Sequence, residues 1–322
     1  MKVSILIPTK DRLGLLREAL ASAQAQSHSD LEIVVSDDGS SDGTQEWLRE
    51  AAAADPRIVI PPANPTPGLF ENINHLLNHK RGDAFAVLAD DDRLLPTFVE
   101  RLLEALQQSG DIVAAFCDCW QISTSGVRLE RETLNESTGT GRATLAPGIV
   151  VEAAPAVIRN RMVVGLTLYR GCLLERERFD LDCGGAADID FGLRLISKGE
   201  FAYVAERLGE IRMHPHRASA LRLKYMTRGK IRALEKYHSM TPAWEHLRLQ
   251  TLQATRVSYL IQLRETNRIE CLRVIADYLA DSKSYARAAH IPSLAVSLAV
   301  ACLPRGAGTH LISAARSLRR RS

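Results

Sequence analysis

The sequence predicts an α/β fold, a doubly wound and mostly parallel sheet followed by a helical C-terminal extension. Short apolar runs at residues 3–8, 31–36 and 84–89 are continuous rather than alternating, which is typical of parallel strands buried on both faces. Amphipathic stretches with helical periodicity separate these runs. Beyond Ala220 the strand pattern ends and only helical stretches follow. Right-handed crossovers between such strands place a ligand site at their carboxyl ends.

The individual elements follow from the same patterning. Strands are predicted at residues 3–8, 31–36, 57–60, 84–89 and 111–117, with helices at 13–26, 44–54, 69–78 and 97–109. Residues 131–148 are rich in Thr, Gly, Ser and Glu, so we expect a mobile loop, and loops of this length often cover active sites. The pattern resumes with helices at 152–160 and 189–197 and strands at 165–169, 201–205 and 209–213.

Charge is divided unevenly along the 322 residues. The net charge of +3 is too small to indicate a nucleic-acid-binding protein, and 46% hydrophobic with 25% charged residues excludes a disordered or polytopic membrane chain. Residues 1–219 carry a net −9, whereas residues 220–322 carry +12. We therefore expect a domain at 1–219 and a basic helical region at 220–322.

Cysteine usage and the start of the chain indicate a cytoplasmic setting. The six cysteines include no C-x-x-C pair, and Cys117 and Cys119 lie in an apolar run, where we expect them to be buried on one face of a strand. Met1 and Lys2 lead directly into a strand-like run, so no signal peptide is expected.

Polar clusters follow three predicted strands, which is where an α/β sheet carries its functional groups. They are Pro8-Thr9-Lys10-Asp11-Arg12, the stretch 37–44, and Asp90-Asp91-Asp92. A turn and a helix cap explain Asp42 and Thr44, but adjacent carboxylates such as Asp37 and Asp38 repel one another. No G-x-G-x-x-G or G-x-x-x-x-G-K motif is present, so a dinucleotide or P-loop site is unsupported.

Three consecutive carboxylates are costly unless a cation neutralises them. Their oxygens suit Mg²⁺ or Mn²⁺, which also recruit substrate phosphates. The alternative is a solvated acidic turn before the helix near Pro96, which the helix dipole would favour. From these residues alone both interpretations stay open.

Together the three motifs resemble the GT-A fold of family 2 glycosyltransferases. V-S-I-L-I-P-T-K-D-R, V-V-S-D-D-G-S-S-D-G-T and V-L-A-D-D-D-R-L-L-P occur in the order and spacing of that family. The resemblance implies an inverting enzyme that uses a nucleotide-diphospho-sugar, Mn²⁺ or Mg²⁺, and a glycan or lipid-linked acceptor in cell-envelope polysaccharide biosynthesis. It also implies that residues 1–120 bind the nucleotide-sugar and residues 121–219 bind the acceptor.

The resemblance also implies roles for individual residues on the donor side. The nucleotide-sugar would be bound by Pro8, Thr9, Asp11, Asp38, Gly68, Asn72 and Asp90. The metal would be held by Asp91, aided by Asp92, and by His214 of the late R-x-H-P segment. Ala89 replaces the first Asp of the usual D-x-D motif, and Lys10 stands where many members have an aromatic residue. For Asn72, an exposed helix position is the alternative.

On the acceptor side, the resemblance implies that Asp188 is the general base. The family commonly has Glu-Asp before this helix, and here Ala187 replaces the Glu. An acceptor hydroxyl needs a nearby carboxylate to take its proton, although Asp188 also suits a helix cap. Asp190 is the reserve candidate for the base.

Two rival functions and one membrane hypothesis complete the expectations. The rivals are a non-catalytic nucleotide-sugar- or glycan-binding module and a sugar-nucleotide pyrophosphorylase, although residues 8–14 lack the Gly-rich basic loop of the latter. An apolar run at residues 294–303 precedes five arginines without an acidic residue: Arg305, Arg316, Arg319, Arg320 and Arg321. This pattern suits peripheral binding to the anionic inner face of the membrane, with a packed C-terminal helix as the alternative.

Overall fold

The N-terminal part of the chain forms a parallel sheet with helices in the crossovers. The computed structural model describes residues 1–151, 153–159, 162–214, 220–238 and 241–263. Its first elements are β1 (Val3–Thr9), α1 (Leu13–Gln24), β2 (Leu31–Asp37), α2 (Thr44–Ala54), β3 (Ile58–Val59), α3 (Leu69–His79) and β4 (Ala84–Val87). These strands pair in parallel in the order β3-β2-β1-β4, and every residue of β1 is buried. The continuous apolar runs therefore form central strands, as predicted.

The remaining strands make the sheet mixed. They follow as β5 (Arg93–Leu94), α4 (Phe98–Gln107), β6 (Ile112–Ile122), α5 (Glu130–Thr140), β7 (Gly148–Ile149), α6 (Ala153–Ile158), β8 (Thr167–Arg170), α7 (Ala187–Leu195) and β9 (Glu200–Arg212). β8 lies antiparallel between β4 and β6, β6 pairs in parallel with β9, and β5 and β7 pair antiparallel with β9. The predicted α/β class with a sheet of mostly parallel character is confirmed.

The mobile loop predicted at residues 131–148 is wrong for most of its length, because α5 occupies its first half. Thr133 and Ser137 of α5 are buried, and the backbone N–H of Gln121 donates to Oγ1 of Thr133 over 2.9 Å. The fully buried guanidinium of Arg142 pairs with Asp118 at 2.9 Å and also with Glu136. These polar residues form a helix because partners distant in sequence satisfy their hydrogen bonds and charges. Amino-acid composition does not reveal such partners.

Two further differences concern strand lengths. The strands predicted at 201–205 and 209–213 form one strand, β9, and β6 continues to Ile122 rather than ending at residue 117. The pairing of β6 with β9 shifts register on both sides of Asp118, which accommodates the polar interruption at residues 206–207. Cys117 and Cys119 are buried free thiols, as predicted.

The C-terminal part is helical where it is described, with α8 (Ala220–Lys236) and α9 (Pro242–Leu263). The chain divides into two compact units, one formed by Met1–Leu181 and Ala187–Arg217, the other by Asp182–Ala186 and Ala218–Ser322. Within the described residues, the helices are too short or too polar to span a bilayer. The apolar run at 294–303 and the five arginines after it lie outside the described residues.

We expect Arg142→Met to lower the free energy of unfolding by about 3 kcal/mol, because it leaves the largely buried Asp118 and half-buried Glu136 without their shared cation. Urea denaturation followed by circular dichroism measures the change. Arg131→Met, at an exposed position of α5, is the matched control and should alter stability by no more than about 0.5 kcal/mol. Equal stability of the two variants would contradict the importance of this ion pair.

Candidate functional site

The three carboxylates after β4 are buried rather than solvated. Asp90, Asp91 and Asp92 are 7%, 7% and 9% exposed. The backbone N–H of Asp92 donates to the carbonyl of Ala89 over 3.2 Å and closes a tight turn. We call residues 89–92 the acidic turn. The alternative of a solvated acidic turn is wrong, because carboxylates removed from water need positive or hydrogen-bonding partners.

The last residue of β1 and the loop after it supply two of those partners. Oγ1 of Thr9 donates to Oδ2 of Asp90 over 2.9 Å. Nη1 of Arg12 donates to Oδ1 of Asp90 at 3.0 Å and to Oδ2 of Asp91 at 3.1 Å. Burial raises the pKa of Asp90 above its usual value, although Arg12 and Thr9 act in the opposite direction. Because β1 and β4 are paired neighbours, their carboxyl ends meet and bring these residues together.

The end of β9 supplies the other partners. Nε2 of His214 lies 2.8 Å from Oδ2 of Asp91, the same oxygen that Arg12 contacts. The backbone N–H of Arg212 donates to Oδ1 of Asp92 over 2.8 Å. The structure therefore places the His214 ring within hydrogen-bond distance of Asp91. Oδ1 of Asp92, in contrast, accepts a hydrogen bond from the backbone of Arg212.

The sequence analysis assigned no role in this site to Arg12 or to Arg212. Of the two, Arg212 is the more deeply buried. Its side chain is almost fully buried, and Nε donates to the carbonyl of Asp91 over 2.8 Å. The same guanidinium contacts Glu18 of α1 at 2.6 Å and the carbonyl of Thr124 at 2.9 Å. The signal for Arg212 in the sequence was its place as the first residue of the R-x-H-P segment, at the end of a predicted strand.

Asp38 and Gly68 lie together beside the end of β2. The backbone N–H of Gly68 donates to Oδ2 of Asp38 over 3.1 Å, and Nζ of Lys10 lies 3.4 Å from the same oxygen. Gly68 has φ +137°, and a Cβ at this position would overlap the carboxylate of Glu71. Residues with a side chain rarely adopt this φ, so the backbone conformation at this position favours glycine.

Asp11 and Asp42 join the loops that follow β1 and β2. Asp11 adopts φ +50°, and its Oδ1 accepts the backbone N–H of Ser41 over 2.8 Å. Oδ2 of Asp42 accepts the backbone N–H of Leu13, the first residue of α1, over 2.9 Å, and Oδ1 accepts the hydroxyl of Thr44 over 2.6 Å. Hydrogen bonds from Leu13 and Thr44 hold the pKa of Asp42 below its usual value. Pro8 is buried in β1 directly before these loops.

Asn72 is buried, so the alternative of an exposed helix residue is wrong. Its side chain is 1% exposed, and Nδ2 donates to the carbonyl of Ser36 at the end of β2 over 2.9 Å. Its Oδ1 has no hydrogen-bond partner among the described residues. Asn72 thus stabilises the end of β2 two residues before Asp38.

Asp188 and Asp190 lie in the first turn of α7 but differ in their surroundings. Asp188 is half-buried, and its Oδ1 accepts the backbone N–H of Ile189 over 2.8 Å. Asp190 is 3% exposed and accepts from Nε of Arg194, one turn later, at 2.8 Å. Of the two candidates Asp188 is therefore the more exposed to solvent.

The acidic turn has the donor chemistry of a divalent-cation site. Asp90 and Asp91 offer hard oxygen ligands, and His214 adds an imidazole within 2.8 Å of Asp91. Arg12 already places a positive charge between both carboxylates, and its side chain is 44% exposed. Asp90 and Asp91 raise the pKa of Arg12 above its usual value even though burial acts to lower it. The carboxylates thus stabilise the positive charge of Arg12, and together with His214 they offer the oxygen and imidazole ligand types that divalent cations take.

Comparison with known proteins places this site in a family context. A curated β-1,3-glucosyltransferase of Campylobacter jejuni that acts on GalNAc(5)-diNAcBac-PP-undecaprenol is 38% identical over 104 residues, 32% of this chain and 34% of that protein. An undecaprenyl-phosphate 4-deoxy-4-formamido-L-arabinose transferase of Edwardsiella ictaluri is 37% identical over 115 residues, 34% of this chain and 35% of that protein. These matches span about a third of each relative.

Solved structures show the same fold at low identity. S. aureus TarS 1-349 in complex with UDP-GlcNAc has a TM-score of 0.63 and 14% identity, with 94% of this chain and 88% of that chain covered. The mannosyltransferase PcManGT from Pyrobaculum calidifontis, in complex with GDP-Man and Mn²⁺, has a TM-score of 0.58 and 18% identity, with 98% and 86% covered. The expected resemblance to GT-A glycosyltransferases is therefore confirmed at the level of the fold.

The profile of Glycosyl transferase family 2 matches residues 4–165. That range contains β1 from Ser4 onward, the acidic turn and the Asp38–Gly68 contact, whereas Asp188 and His214 lie outside it. The chain belongs to glycosyl transferase family 2.

Proposed function

We propose that the protein transfers a sugar from a nucleotide-diphospho-sugar to a hydroxyl of a glycan or lipid-linked acceptor, with inversion at the anomeric carbon. The observation that carries this proposal is the convergence of Asp90, Asp91, Arg12 and His214 where β1, β4 and β9 end. A buried pair of carboxylates that pairs with the Arg12 guanidinium suits a donor whose diphosphate is bound through a divalent metal. The lipid-linked substrates in the names of two relatives support the acceptor class.

On the donor side, Asp91 and His214 would hold Mn²⁺ or Mg²⁺, and Asp92 would support the turn through Arg212. The bound metal would supply Lewis-acid stabilisation of the charge that develops on the departing diphosphate. Asp90 would face the nucleotide ribose, while Pro8, Thr9, Asp11 and Asp38 would line the base pocket. Gly68 and Asn72 would support this pocket through their contacts with Asp38 and Ser36.

On the acceptor side, Asp188 would accept the proton of the attacking hydroxyl. The oxygen would attack the anomeric carbon from the face opposite the nucleotide, so that one bond forms as the other breaks and the configuration inverts. Asp188 is half-buried whereas Asp190 is 3% exposed, so an acceptor hydroxyl reaches Asp188 more readily. A general base of this kind contributes about 10²–10⁴-fold to the rate.

A non-catalytic binding module is the second candidate, because Ala89 and Ala187 replace acidic residues that the family commonly has. A screen of nucleotide-sugars, with Mn²⁺ or EDTA, distinguishes the two candidates. Metal-stimulated donor hydrolysis, or transfer to a lipid-linked or glycan acceptor, supports the enzyme. Nucleotide binding without turnover on any acceptor supports the module.

We expect Asp91→Ala to abolish Mn²⁺-dependent binding of nucleoside diphosphate, because Asp91 carries the oxygen shared by Arg12 and His214. Isothermal titration with UDP and GDP, in MnCl₂ and in EDTA, measures the effect. Asp30→Ala, which removes an exposed carboxylate after α1, is the matched control and should bind as wild type does. Wild-type affinity that EDTA leaves unchanged would disprove the metal role.

We expect Asp188→Asn to lower turnover by about 10²-fold or more while donor affinity stays near that of wild type. The amide keeps the size of the side chain but does not accept the proton. Steady-state transfer assays, with donor affinity from titration, measure both quantities. Asp190→Asn should reduce turnover less, and near-normal turnover of Asp188→Asn would exclude Asp188 as the base.

For the region outside the described residues, the sequence supports a membrane role. Each cation near an anionic bilayer contributes about 1 kcal/mol, so five arginines together supply several. We expect full-length protein to sediment with phosphatidylglycerol vesicles and deletion of residues 305–322 to prevent it, with nucleotide binding retained. Phosphatidylcholine vesicles and high salt are the controls, since screening weakens the attraction. Equal sedimentation with and without these residues would contradict the hypothesis.

A further inference from the structure

One face of α8 packs against a short segment to which the proposed function assigns no role. Tyr225, Gly229, Arg232 and Lys236 are spaced four, three and four residues apart, which places them on one face of the helix. The segment Asp182–Ala186 belongs to the same compact unit as α8. We call Asp182–Ala186 the diglycine segment, after Gly184 and Gly185 at its centre.

Tyr225 packs directly on the two glycines. A Cβ at Gly184 would lie 2.8 Å from Cε2 and Cζ of the Tyr225 ring, and a Cβ at Gly185 would lie 2.9 Å from its Cδ1. Any side chain at these two positions would displace the ring. Gly184 also adopts φ +49°, so the backbone of the segment depends on glycine for its conformation as well as for its packing.

Gly229 and Arg232 extend the contact along the same face. A Cβ at Gly229 would overlap the carbonyl oxygen of Cys183 and would lie 3.1 Å from the backbone N of Ala186. Nη1 of Arg232 donates to the carbonyl of Asp182 over 2.6 Å. Arg232 and Lys236 also line a cavity of about 400 Å³ with Asp182 and Glu235. The helix therefore contacts the diglycine segment from one end to the other.

The diglycine segment leads directly into the proposed base. Helix α7 begins at Ala187, the residue after Ala186, and Asp188 is its second residue. Consecutive Cα atoms are about 3.8 Å apart, so the position of Ala186 constrains where Asp188 begins. A misplacement of about 1 Å at a reacting group can cost 10²-fold in rate.

We propose that α8 is a positioning element for the acceptor step, with Tyr225 and Gly229 as the positioning residues that hold the diglycine segment and thereby Asp188. On this basis α8 affects turnover and leaves donor binding unchanged. The inference rests on the proposed role of Asp188.

The test compares two Gly→Ala substitutions within helices of the full-length protein. Helix propensity alone makes both slightly stabilising. Gly139→Ala in α5 meets no atom within 4 Å and is the matched control, whereas Gly229→Ala introduces the overlap with Cys183. We expect Gly229→Ala to speed hydrogen exchange in peptides covering residues 182–190 and to lower kcat about 10-fold or more. The Kd for UDP with Mn²⁺ and the KM for donor should stay within about twofold of wild type, the range expected of an unaffected site.

A second pair of variants, at Tyr225, tests the same contact with less risk that the protein misfolds. Tyr225 is 57% exposed, so Tyr225→Ala should fold, yet it removes the ring from the two glycines. We expect it to lower kcat in the same way and Tyr225→Phe to restore kcat, because ring carbons make the closest contacts.

Unchanged exchange at residues 182–190 in both Gly229→Ala and Tyr225→Ala would overturn the inference. Wild-type kcat despite faster exchange would overturn it as well. Failure of the proposed function is distinguishable, since it appears as normal turnover of Asp188→Asn, whereas the exchange measurement reports on the contact with α8 independently of catalysis.

Discussion

The site depends on one electrostatic constraint, the neutralisation of three consecutive carboxylates that are each less than 10% exposed. Charges removed from water are tolerated only when cations and hydrogen-bond donors surround them. Arg12 approaches from the loop after β1, and His214 and the backbone of Arg212 approach from the end of β9. The acidic turn therefore joins three strand ends that are far apart in sequence.

The contacts of Arg212 connect the acidic turn to other parts of the fold. Its buried guanidinium contacts the backbone of the acidic turn, Glu18 of α1 and the backbone after β6. Strand β9 ends at Arg212 and so places it beside the acidic turn. The pairing of β9 with β6 shifts register on both sides of Asp118. A buried arginine with several carbonyl and carboxylate partners defines the geometry of a loop more narrowly than apolar packing does, because each hydrogen bond is directional.

Departures from the usual family pattern lie at the acidic turn, beside Asp38 and at the start of α7. Ala89 removes one carboxylate from the turn, and Arg12 is shared by the two that follow. Lys10 stands where many members have an aromatic residue and lies beside Asp38. Ala187 is fully buried, so this position contributes packing at the start of α7, and the next residue, Asp188, carries a half-buried carboxylate.

The sequence by itself determined the parallel part of the sheet, the crossover helices, the three polar clusters and the family. Those features depend on local periodicity and on residue order, which a single sequence displays. It did not reveal α5, the continuity of β9, the burial of Asn72 or the roles of Arg12 and Arg212. In each of these cases a polar residue is satisfied by a partner distant in sequence, as when Arg142 pairs with Asp118 or Arg212 with Glu18. Only the tertiary structure decides such pairings, because a buried charge takes its stability from the geometry of its neighbours and not from the residues beside it in the chain.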